Sequence, residues 1–503
     1  MDLQYLKSGT DIRGTALGES CDLRDEVVCG IISAFVAYLE KKLATSPFAM
    51  SISVGHDSRL SSRRIKKAVI KTLSSHGVKV YDCSLSSTPA MFMTCVALGC
   101  SAAVQITASH HPKDKNGLKF FTRQGGFEAA EITEILEDAP KYMTLEFIRP
   151  GSVEAIDFMA RYALTLREMI CRGVNSEEDY HAPLKGFHIV VDAGNGVGGF
   201  YATHVLQSLG ADITGSQFLE PDGSFPNHTP NPENAEAMRS ICGAVVRVKA
   251  DLGVIFDTDV DRAACVGPDG KEINRNRLVA LASVIALEKC PGGTIVTDSV
   301  TSDGLKTFIE QTLGGKHHRF KRGYKNVINE AIRLNQEGVA CPLAIETSGH
   351  AAMKENYFLD DGAYLVTKII IKAAELRRQG KTLDDLIAAL GEPAEEKELR
   401  LKILAEDFKA CGERIIQDLR DYAAAQNGWE IAPDNHEGIR ISFVPEQGDG
   451  WLLLRLSVHD PILPLNAESD TPGGTGIILK AFYRFIQKYA ELDLSPLDAY
   501  KNR

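Results

Sequence analysis

A serine, two histidines and three lysines lie close together in TASHHPKDKNGLKF, residues 107–120. The apolar run SAAVQI comes directly before them and is typical of a buried strand, and the polar composition that follows predicts a loop. One interpretation is that Ser109 is a nucleophile in a cationic pocket formed with His110, His111 and Lys119. The alternative is a loop whose polar side chains are solvated.

Three aspartates alternate in DTDVDR, residues 257–262, after the apolar run DLGVIF. Alternate residues of an extended strand face one side, so we expect Asp257, Asp259 and Asp261 to converge on one hard cation. Mg²⁺ prefers oxygen ligands of this kind, and Arg262 adds a positive charge beside them. The alternative is an aspartate-rich turn after a strand.

A carboxylate, a hydroxyl and an imidazole follow the apolar run PLAI in ETSGH, residues 346–350. Glu346 and Ser348 are suited to hydrogen bonding with sugar hydroxyls, and His350 would be free for proton transfer. Taken alone, such a segment is more often a polar loop.

An arginine, a serine and a histidine alternate in LLLRLSVHDP, residues 452–461. A strand would deliver Arg455, Ser457 and His459 to one side, where the planar guanidinium matches phosphate oxygens. The alternative is an amphipathic strand with its polar face in water.

A glycine-rich segment, VVDAGNGVGG, occupies residues 190–199 between a predicted strand and a predicted helix. Gly194, Gly196 and Gly199 match G-x-G-x-x-G, with Asp212 downstream, which is the form of a dinucleotide-binding loop. A tight turn that needs room for the backbone is the favoured interpretation.

The elements that must position these residues alternate along most of the chain. Residues 51–110 read strand, helix, strand, helix, strand, and Ile65, Val69 and Leu73 form the apolar face of a helix that Gly77 ends. The rhythm recurs twice, and short strands with one terminal helix follow residue 396. We therefore expect an α/β fold of three α/β domains and one α+β domain, with boundaries at 1–170, 171–270, 271–395 and 396–503.

Composition excludes several classes of partner. The net charge of −11 disfavours binding to DNA or RNA, whose affinity depends on neutralising phosphates. The eleven cysteines are scattered without a CxxC pair, which indicates free thiols in a reducing compartment. No apolar run is long enough to cross a membrane, and the first residues resemble no targeting segment. We expect a cytoplasmic protein.

In their order along the chain, these motifs resemble those of the α-D-phosphohexomutase superfamily, most of all its phosphomannomutase/phosphoglucomutase branch. The segments 107–120, 257–262, 346–350 and 455–461 resemble its phosphoserine, metal, sugar-specificity and phosphate-binding loops. TDIRG, residues 10–14, resembles its opening motif, whose arginine would be Arg13. The resemblance implies four domains around a central cleft, three of them α/β with mixed sheets and the last α+β. It also implies that the glycine loop is structural.

The resemblance implies an intramolecular phosphotransferase that interconverts the 1-phosphate and 6-phosphate of glucose or mannose. Ser109 would be exposed, rigidly held and phosphorylated, and a hexose 1,6-bisphosphate would be both intermediate and activator. Mg²⁺ would be bound by Asp257, Asp259, Asp261 and the phosphoserine.

The same resemblance assigns roles to the other motif residues. Proton handling falls to Lys119 and His350, and Arg13 would lie in the active site. RGYKN, residues 322–326, falls where the family has another substrate loop. The expected contacts to substrate are Arg262, Lys325, Glu346, Ser348, Arg455, Ser457 and His459.

Three alternatives stay open. Val458 and His459 stand where the family has asparagine or glycine and then threonine, which motivates a non-catalytic relative that binds sugar phosphates. A relative that forms a hexose bisphosphate would use the same nucleophile. A dinucleotide-dependent oxidoreductase would use the glycine loop. The expected partners are small hexose phosphates, without nucleic acid or membrane; the oligomeric state is open, and a monomer is favoured.

Overall fold

The computed structural model describes residues 2–143, 150–457 and 460–501. The chain divides into two compact units, the first made of Met1–Ile285 with Ser348–Leu386 and the second of Ala286–Thr347 with Ile387–Arg503. Among the helices described, none combines the length and the hydropathy that a transmembrane span requires.

A mixed eight-stranded sheet begins the first unit, in the order β1-β2-β6-β5-β3-β4-β8, with β7 paired to β6. Its strands are β1 (Lys7–Ser8), β2 (Asp11–Thr15), β3 (Ser51–His56), β4 (Lys79–Leu85), β5 (Ala102–Ile106), β6 (Lys115–Thr122), β7 (Gly125–Gly126) and β8 (Val153–Ala155). Five helices accompany them: α1 (Asp25–Leu43), α2 (Ser62–Ser75), α3 (Thr88–Ala97), α4 (Ala129–Tyr142) and α5 (Phe158–Val174). Helix α2 buries the predicted face of Ile65, Val69 and Leu73, because these residues recur at helical spacing.

A four-stranded sheet follows in the same unit, in the order β12-β11-β10-β9. Its elements are β9 (Ile189–Asp192), α6 (Ala235–Val248), β10 (Leu252–Phe256), β11 (Ala263–Val266) and β12 (Glu272–Ile273). Strands β9 and β10 are parallel, whereas β10 and β11 are antiparallel and pair Phe256 with Ala263. The segment 257–262 is therefore the turn of a hairpin.

The next stretch of chain contributes to both units. It contains α7 (Arg275–Lys289), β13 (Thr294–Thr297), α8 (Asp303–Thr307), β14 (Lys316–Arg319), α9 (Tyr324–Gln336), β15 (Leu343–Ile345), β16 (Ala351–Met353), β17 (Leu359–Asp360), α10 (Gly362–Arg378) and α11 (Leu383–Leu386). Strand β13 pairs in parallel with β14 and β15 in the second unit, and β16 and β17 form an antiparallel hairpin in the first. Helix α11 is short, with only four residues.

The remaining elements form an antiparallel sheet in the order β19-β20-β21-β22-β18-β23. They are β18 (Glu395–Ile403), α12 (Phe408–Ala424), β19 (Trp429–Ile431), β20 (Ile439–Phe443), β21 (Gly450–Leu454), β22 (Ile462–Ser469), α13 (Gly474–Ile486) and β23 (Leu492–Asp493). Ile415, Leu419 and Phe482 of the helices share one buried core with strand residues such as Leu452. Strands and helices are thus segregated as in an α+β fold.

Candidate active site

Ser109 lies in the loop that follows β5, with its backbone in the left-handed region at φ +49°. Its N–H donates to Thr107 Oγ1 at 2.9 Å, and that hydroxyl donates to Asp57 Oδ2 at 2.8 Å. A non-glycine residue holds such a φ only where its surroundings fix it. The predicted location at a strand end is found, but the expected exposure is wrong, because Ser109 is only 3% exposed.

The hydroxyl of Ser109 lies between a carboxylate and a guanidinium. It donates to Asp257 Oδ2 at 3.0 Å, and Arg262 Nη2 donates to it at 3.2 Å. Both partners come from the hairpin turn between β10 and β11. A hydroxyl held by a carboxylate and a guanidinium is placed for exchange of a charged group.

The carboxylates of Asp257, Asp259 and Asp261 converge, with one oxygen of each within 4.8 Å of the others. The reason differs from the expected strand alternation, because β10 ends at Phe256 and the three residues lie on the turn. Val260 has a φ of +68°, which bends the turn so that the aspartates on both sides face inward. All three are buried.

Charge in this turn is balanced by neighbouring cations. Lys119 Nζ lies 2.6 Å from Asp261 Oδ2 and 3.2 Å from Asp259 Oδ2. Burial raises the pKa of Asp257 well above its usual range, and Asp261 and Asp259 add to the effect. Burial also opposes ionisation of Asp261, but Lys119, His350 and Arg262 outweigh it and lower the pKa of that carboxyl.

The same turn fits a divalent cation. Asp259 Oδ1 and Asp261 Oδ1 are buried and accept no hydrogen bond from any residue that the structure describes. Unpartnered buried carboxylate oxygens are costly unless a cation occupies them. Asp257, Asp259 and Asp261 therefore form an acidic cluster that could hold such a metal.

The glycine loop packs against this turn. Val197 N–H donates to the Thr258 carbonyl at 2.9 Å. A Cβ on Gly196 would lie 2.6 Å from the same oxygen, so the position requires glycine. Backbone contact with the acidic turn is a structural reason for the glycines, as the tight-turn interpretation predicts.

His350 lies just before β16 and is held rather than free. Its Nδ1–H donates to Asp360 Oδ2 at 2.5 Å, and Nδ1 is 4.0 Å from Asp261 Oδ1. Burial by itself would lower the pKa of His350, but Asp360 and Asp261 outweigh it and raise the pKa to about 9. The imidazole is therefore a cation at neutral pH, and Ser348, two residues earlier, is also buried.

Arg13 contacts the serine loop through a histidine. Its Nη1 donates to His111 Nε2 at 2.6 Å, and its Nη2 bonds Asp11 Oδ2 at 2.8 Å. Burial and Arg13 lower the pKa of His111 to about 4, and burial and Arg262 lower the pKa of His110 as well. With their pKa values lowered, His110 and His111 are not the expected cations; the cations near Ser109 are arginines and Lys119.

The other predicted residues lie in the second unit. Glu346 follows β15, and its Oε1 accepts the Gly323 N–H at 2.5 Å. Lys325 is in the first turn of α9. Arg455 Nε is buried without a hydrogen-bond partner among the described residues.

The predicted phosphate-binding strand is shorter than expected. Strand β21 ends at Leu454, although Arg455 and Ser457 still donate their N–H groups to Pro464 and Ile462. Val458 and His459 lie outside the described residues.

Sequence reasoning missed three residues around the serine. Arg59 donates to the Ser109 carbonyl at 2.5 Å, Thr88 Oγ1 donates to Asp259 Oδ2 at 2.5 Å, and Asp360 holds His350. The only signal for Arg59 was the polar run HDSR after an apolar strand.

Family models match most of the chain. The models described as phosphoglucomutase/phosphomannomutase, alpha/beta/alpha domains I, II and III, match residues 6–144, 167–270 and 274–393. These matches confirm the predicted α/β class of the first three domains, and the antiparallel sheet with its helices adds the fourth.

Relatives match over nearly the same length. A phosphomannomutase/phosphoglucomutase of Pseudomonas aeruginosa is 30% identical over 421 residues, covering 84% of each chain. A phosphoglucomutase of Neisseria gonorrhoeae is 29% identical over 443 residues, covering 88% of this chain and 89% of its own. A crystal structure of a phosphoglucomutase/phosphomannomutase family protein from Burkholderia thailandensis has a TM-score of 0.80 at 26% identity, covering 97% of this chain and 98% of its own.

The motifs, the arrangement around Ser109 and these matches agree. The chain belongs to the phosphoglucomutase/phosphomannomutase family of the α-D-phosphohexomutase superfamily, and it is a hexose-phosphate mutase of the isomerase class.

Proposed function

We propose that this mutase interconverts the 1-phosphate and 6-phosphate of glucose, mannose or both, with Ser109 as the phosphorylated residue. The observation that carries the proposal is the position of Ser109 Oγ, which bonds Asp257 and Arg262 beside two further clustered carboxylates. Relatives named for both sugars support both substrates.

The reaction consists of two phosphoryl transfers in opposite directions. In the first, the bond between Ser109 Oγ and phosphorus breaks as a substrate hydroxyl bonds the phosphorus and loses its proton. The resulting hexose 1,6-bisphosphate reorients, and Ser109 Oγ bonds the phosphorus of its other phosphoryl group. The bond from that phosphorus to the sugar oxygen breaks, and the sugar oxygen takes up a proton. The same bisphosphate would activate an unphosphorylated enzyme.

Residues of the first unit would stabilise these transfers. Lys119 and His350 are our candidates for moving the proton, and Arg262 and Arg13 would bind the phosphoryl oxygens. A Mg²⁺ ion held by Asp257, Asp259, Asp261 and a phosphoserine oxygen would supply charge neutralisation at phosphorus. Positioning and electrostatics account for most of the acceleration in such transfers.

Substrate recognition would draw on the remaining motif residues. Glu346 and Ser348 would accept and donate hydrogen bonds to the sugar hydroxyls. Lys325, Arg455, Ser457 and His459 would bind the phosphate that is not reacting. The Nε of Arg455 is buried and has no hydrogen-bond partner in the part of the chain that the structure describes, which supports this role, since a phosphate oxygen would satisfy it.

The compartment, domain boundaries, partners and oligomeric state of the enzyme are proposed from the sequence. Eleven free cysteines fit a reducing cytoplasm. We propose domains at 1–170, 171–270, 271–395 and 396–503, small hexose phosphates as the partners without nucleic acid, and a monomer.

Phosphorus NMR tests the proposal directly. Purified protein with Mg²⁺ and a trace of glucose 1,6-bisphosphate receives glucose 1-phosphate or mannose 1-phosphate in separate tubes. A 6-phosphate signal is expected, and the relative rates name the preferred sugar. Ser109→Ala should abolish the signal, whereas Ser208→Ala, at an exposed serine of the same unit, should not.

Other outcomes would favour the alternatives. Binding without turnover would favour the non-catalytic relative, and accumulation of the bisphosphate would favour the bisphosphate-forming one. Turnover by Ser109→Ala would remove the serine from the mechanism. Binding of NAD(H) in calorimetry would reopen the oxidoreductase interpretation of the glycine loop.

A further inference from the structure

Arg59 is a fully buried arginine in the turn between β3 and α2, and its side chain has 0% exposure. A buried guanidinium must find partners for its five N–H donors. Its two terminal nitrogens find theirs in one place, the loop that carries Ser109, whereas Nε faces Asp57 and makes no hydrogen bond to any described residue.

The guanidinium binds four backbone carbonyls of that loop. Nη2 donates to the carbonyls of Ser109 at 2.5 Å and His111 at 2.6 Å. Nη1 donates to the carbonyls of Pro112 at 2.7 Å and Lys115 at 2.9 Å. One rigid fork therefore joins the beginning of the loop to its end, where β6 starts.

Asp57 completes the arrangement from the other side. Its Oδ2 lies 3.2 Å from Arg59 Nε and also accepts the Thr107 hydroxyl at 2.8 Å. Thr107 in turn accepts the Ser109 N–H. The peptide group before Ser109 and the one after it are thus held by the same buried ion pair, which accounts for its left-handed φ.

The side chain of Arg59 is directed at the backbone of the Ser109 loop and not at the reacting groups. Among the described residues, the side-chain N–H groups of Arg59 donate only to carbonyls of residues 109–115. Arg59 makes no hydrogen bond to the Ser109 hydroxyl or to Asp257, Asp259 and Asp261. Its contacts fix the direction of the serine without taking part in the exchange.

We infer that Arg59, together with Asp57 and Thr107, forms a set of positioning residues that holds the Ser109 loop in its reactive conformation. The inference rests on the proposed role of Ser109 as the phosphorylated residue. Lysine cannot replace arginine here, because one ammonium group cannot span four carbonyls in a plane. Loss of the guanidinium contacts to the loop should let the Ser109 hydroxyl move away from Asp257 and Arg262.

The test compares Arg59→Lys with Arg63→Lys, a change at an exposed arginine of α2. Phosphate on Ser109 is measured by mass spectrometry after mixing with glucose 1,6-bisphosphate and Mg²⁺, together with kcat, KM and Tm. We expect Arg59→Lys to lower kcat and the rate of Ser109 phosphorylation by about 10- to 100-fold, with KM nearly unchanged. Arg63→Lys should match the wild type.

The outcomes separate this inference from the proposed function. A wild-type enzyme that gains no phosphate on Ser109 would overturn both. Normal phosphorylation of wild type and of Arg59→Lys alike would overturn only the role of Arg59. A fall in kcat accompanied by a rise in KM of the same fold would also contradict the role of Arg59.

Thr107→Val is the second variant, for use if Arg59→Lys does not fold. It removes the hydroxyl that joins Asp57 to the Ser109 N–H and keeps the shape of the side chain. The same loss of kcat and of phosphorylation rate is expected, and normal values would overturn the inference.

Discussion

At the scale of single residues, the candidate residues of the site were easier to predict than the charges that their side chains carry. The motifs selected Ser109 and the three aspartates as candidates, and the structure brings them together. They did not identify His110 and His111 as neutral groups, because burial beside arginines decides their pKa and burial is a property of the fold. The motifs also gave no sign that Asp360 holds His350, since these residues meet only across the β16–β17 hairpin.

Asp259→Asn should weaken binding of Mg²⁺. Asp259 Oδ1 has no hydrogen-bond partner among the described residues and is available to a cation, to which an amide would offer less negative charge. We expect the Mg²⁺ concentration that gives half-maximal turnover to rise by about 10- to 100-fold. Mn²⁺ binding followed by electron paramagnetic resonance gives a readout besides activity. Equal rates of the wild type with and without EDTA would contradict the metal site.

Arg455→Ala should raise KM more than it changes stability. A hydrogen bond from a charged group to phosphate contributes about 1.5–3 kcal/mol, which corresponds to roughly 10- to 100-fold in affinity. Steady-state kinetics and thermal unfolding measure the two effects side by side. Arg400→Ala, at an exposed arginine of β18, is the matched control. An unchanged KM would place the phosphate site elsewhere.

At the scale of elements, most strands and helices followed from periodicity, but the end of β21 and the turns did not. The alternation of DTDVDR suggested a continuing strand, whereas Val260 adopts a left-handed conformation and closes a hairpin. A positive φ at valine is sterically unfavourable, so local preference could not predict it. Packing of the glycine loop against Thr258 helps to impose it.

Gly196→Ala tests that packing. The added Cβ would lie 2.6 Å from the Thr258 carbonyl, so the acidic turn must shift. We expect destabilisation by about 1–3 kcal/mol and reduced turnover. Gly243→Ala is the control, because nothing lies within 4 Å of its Cβ and alanine favours helix α6 by about 1 kcal/mol. Equal stability of the two variants in urea would show that the contact is unimportant.

At the scale of the whole molecule, each compact unit has a buried core of its own. The core of the first domain includes Ile31, Val54 and Val104, and that of the last domain includes Ile415, Leu452 and Phe482. Four groups of elements could be predicted from the sequence because the rhythm of strands and helices changes near residue 396. The division of residues 274–393 between two units could not, since it depends on contacts distant in sequence.

We therefore expect two unfolding transitions in calorimetry, and pH should distinguish them. Burial raises the pKa of Glu468 in the second unit to about 7, against the opposing effects of Arg440 and the Trp451 N–H. An unfolded glutamate titrates near ~4.3, so the unfolded chain loses this proton first as pH rises. The second unit should lose about 3 kcal/mol of stability between pH 4.5 and 7 from this group.

Glu468→Gln should abolish that loss, because a neutral amide keeps the shape of the protonated acid. In this variant, the unfolding temperature of the second unit should vary less between pH 5 and 7.5 than in the wild type. The unfolding temperature of the first unit should stay unchanged. Glu446→Gln, at an exposed position of the second unit, should retain the wild-type pH dependence. If both transitions move together in every variant, the two units unfold as one cooperative body, and the independence that their separate cores suggest is wrong.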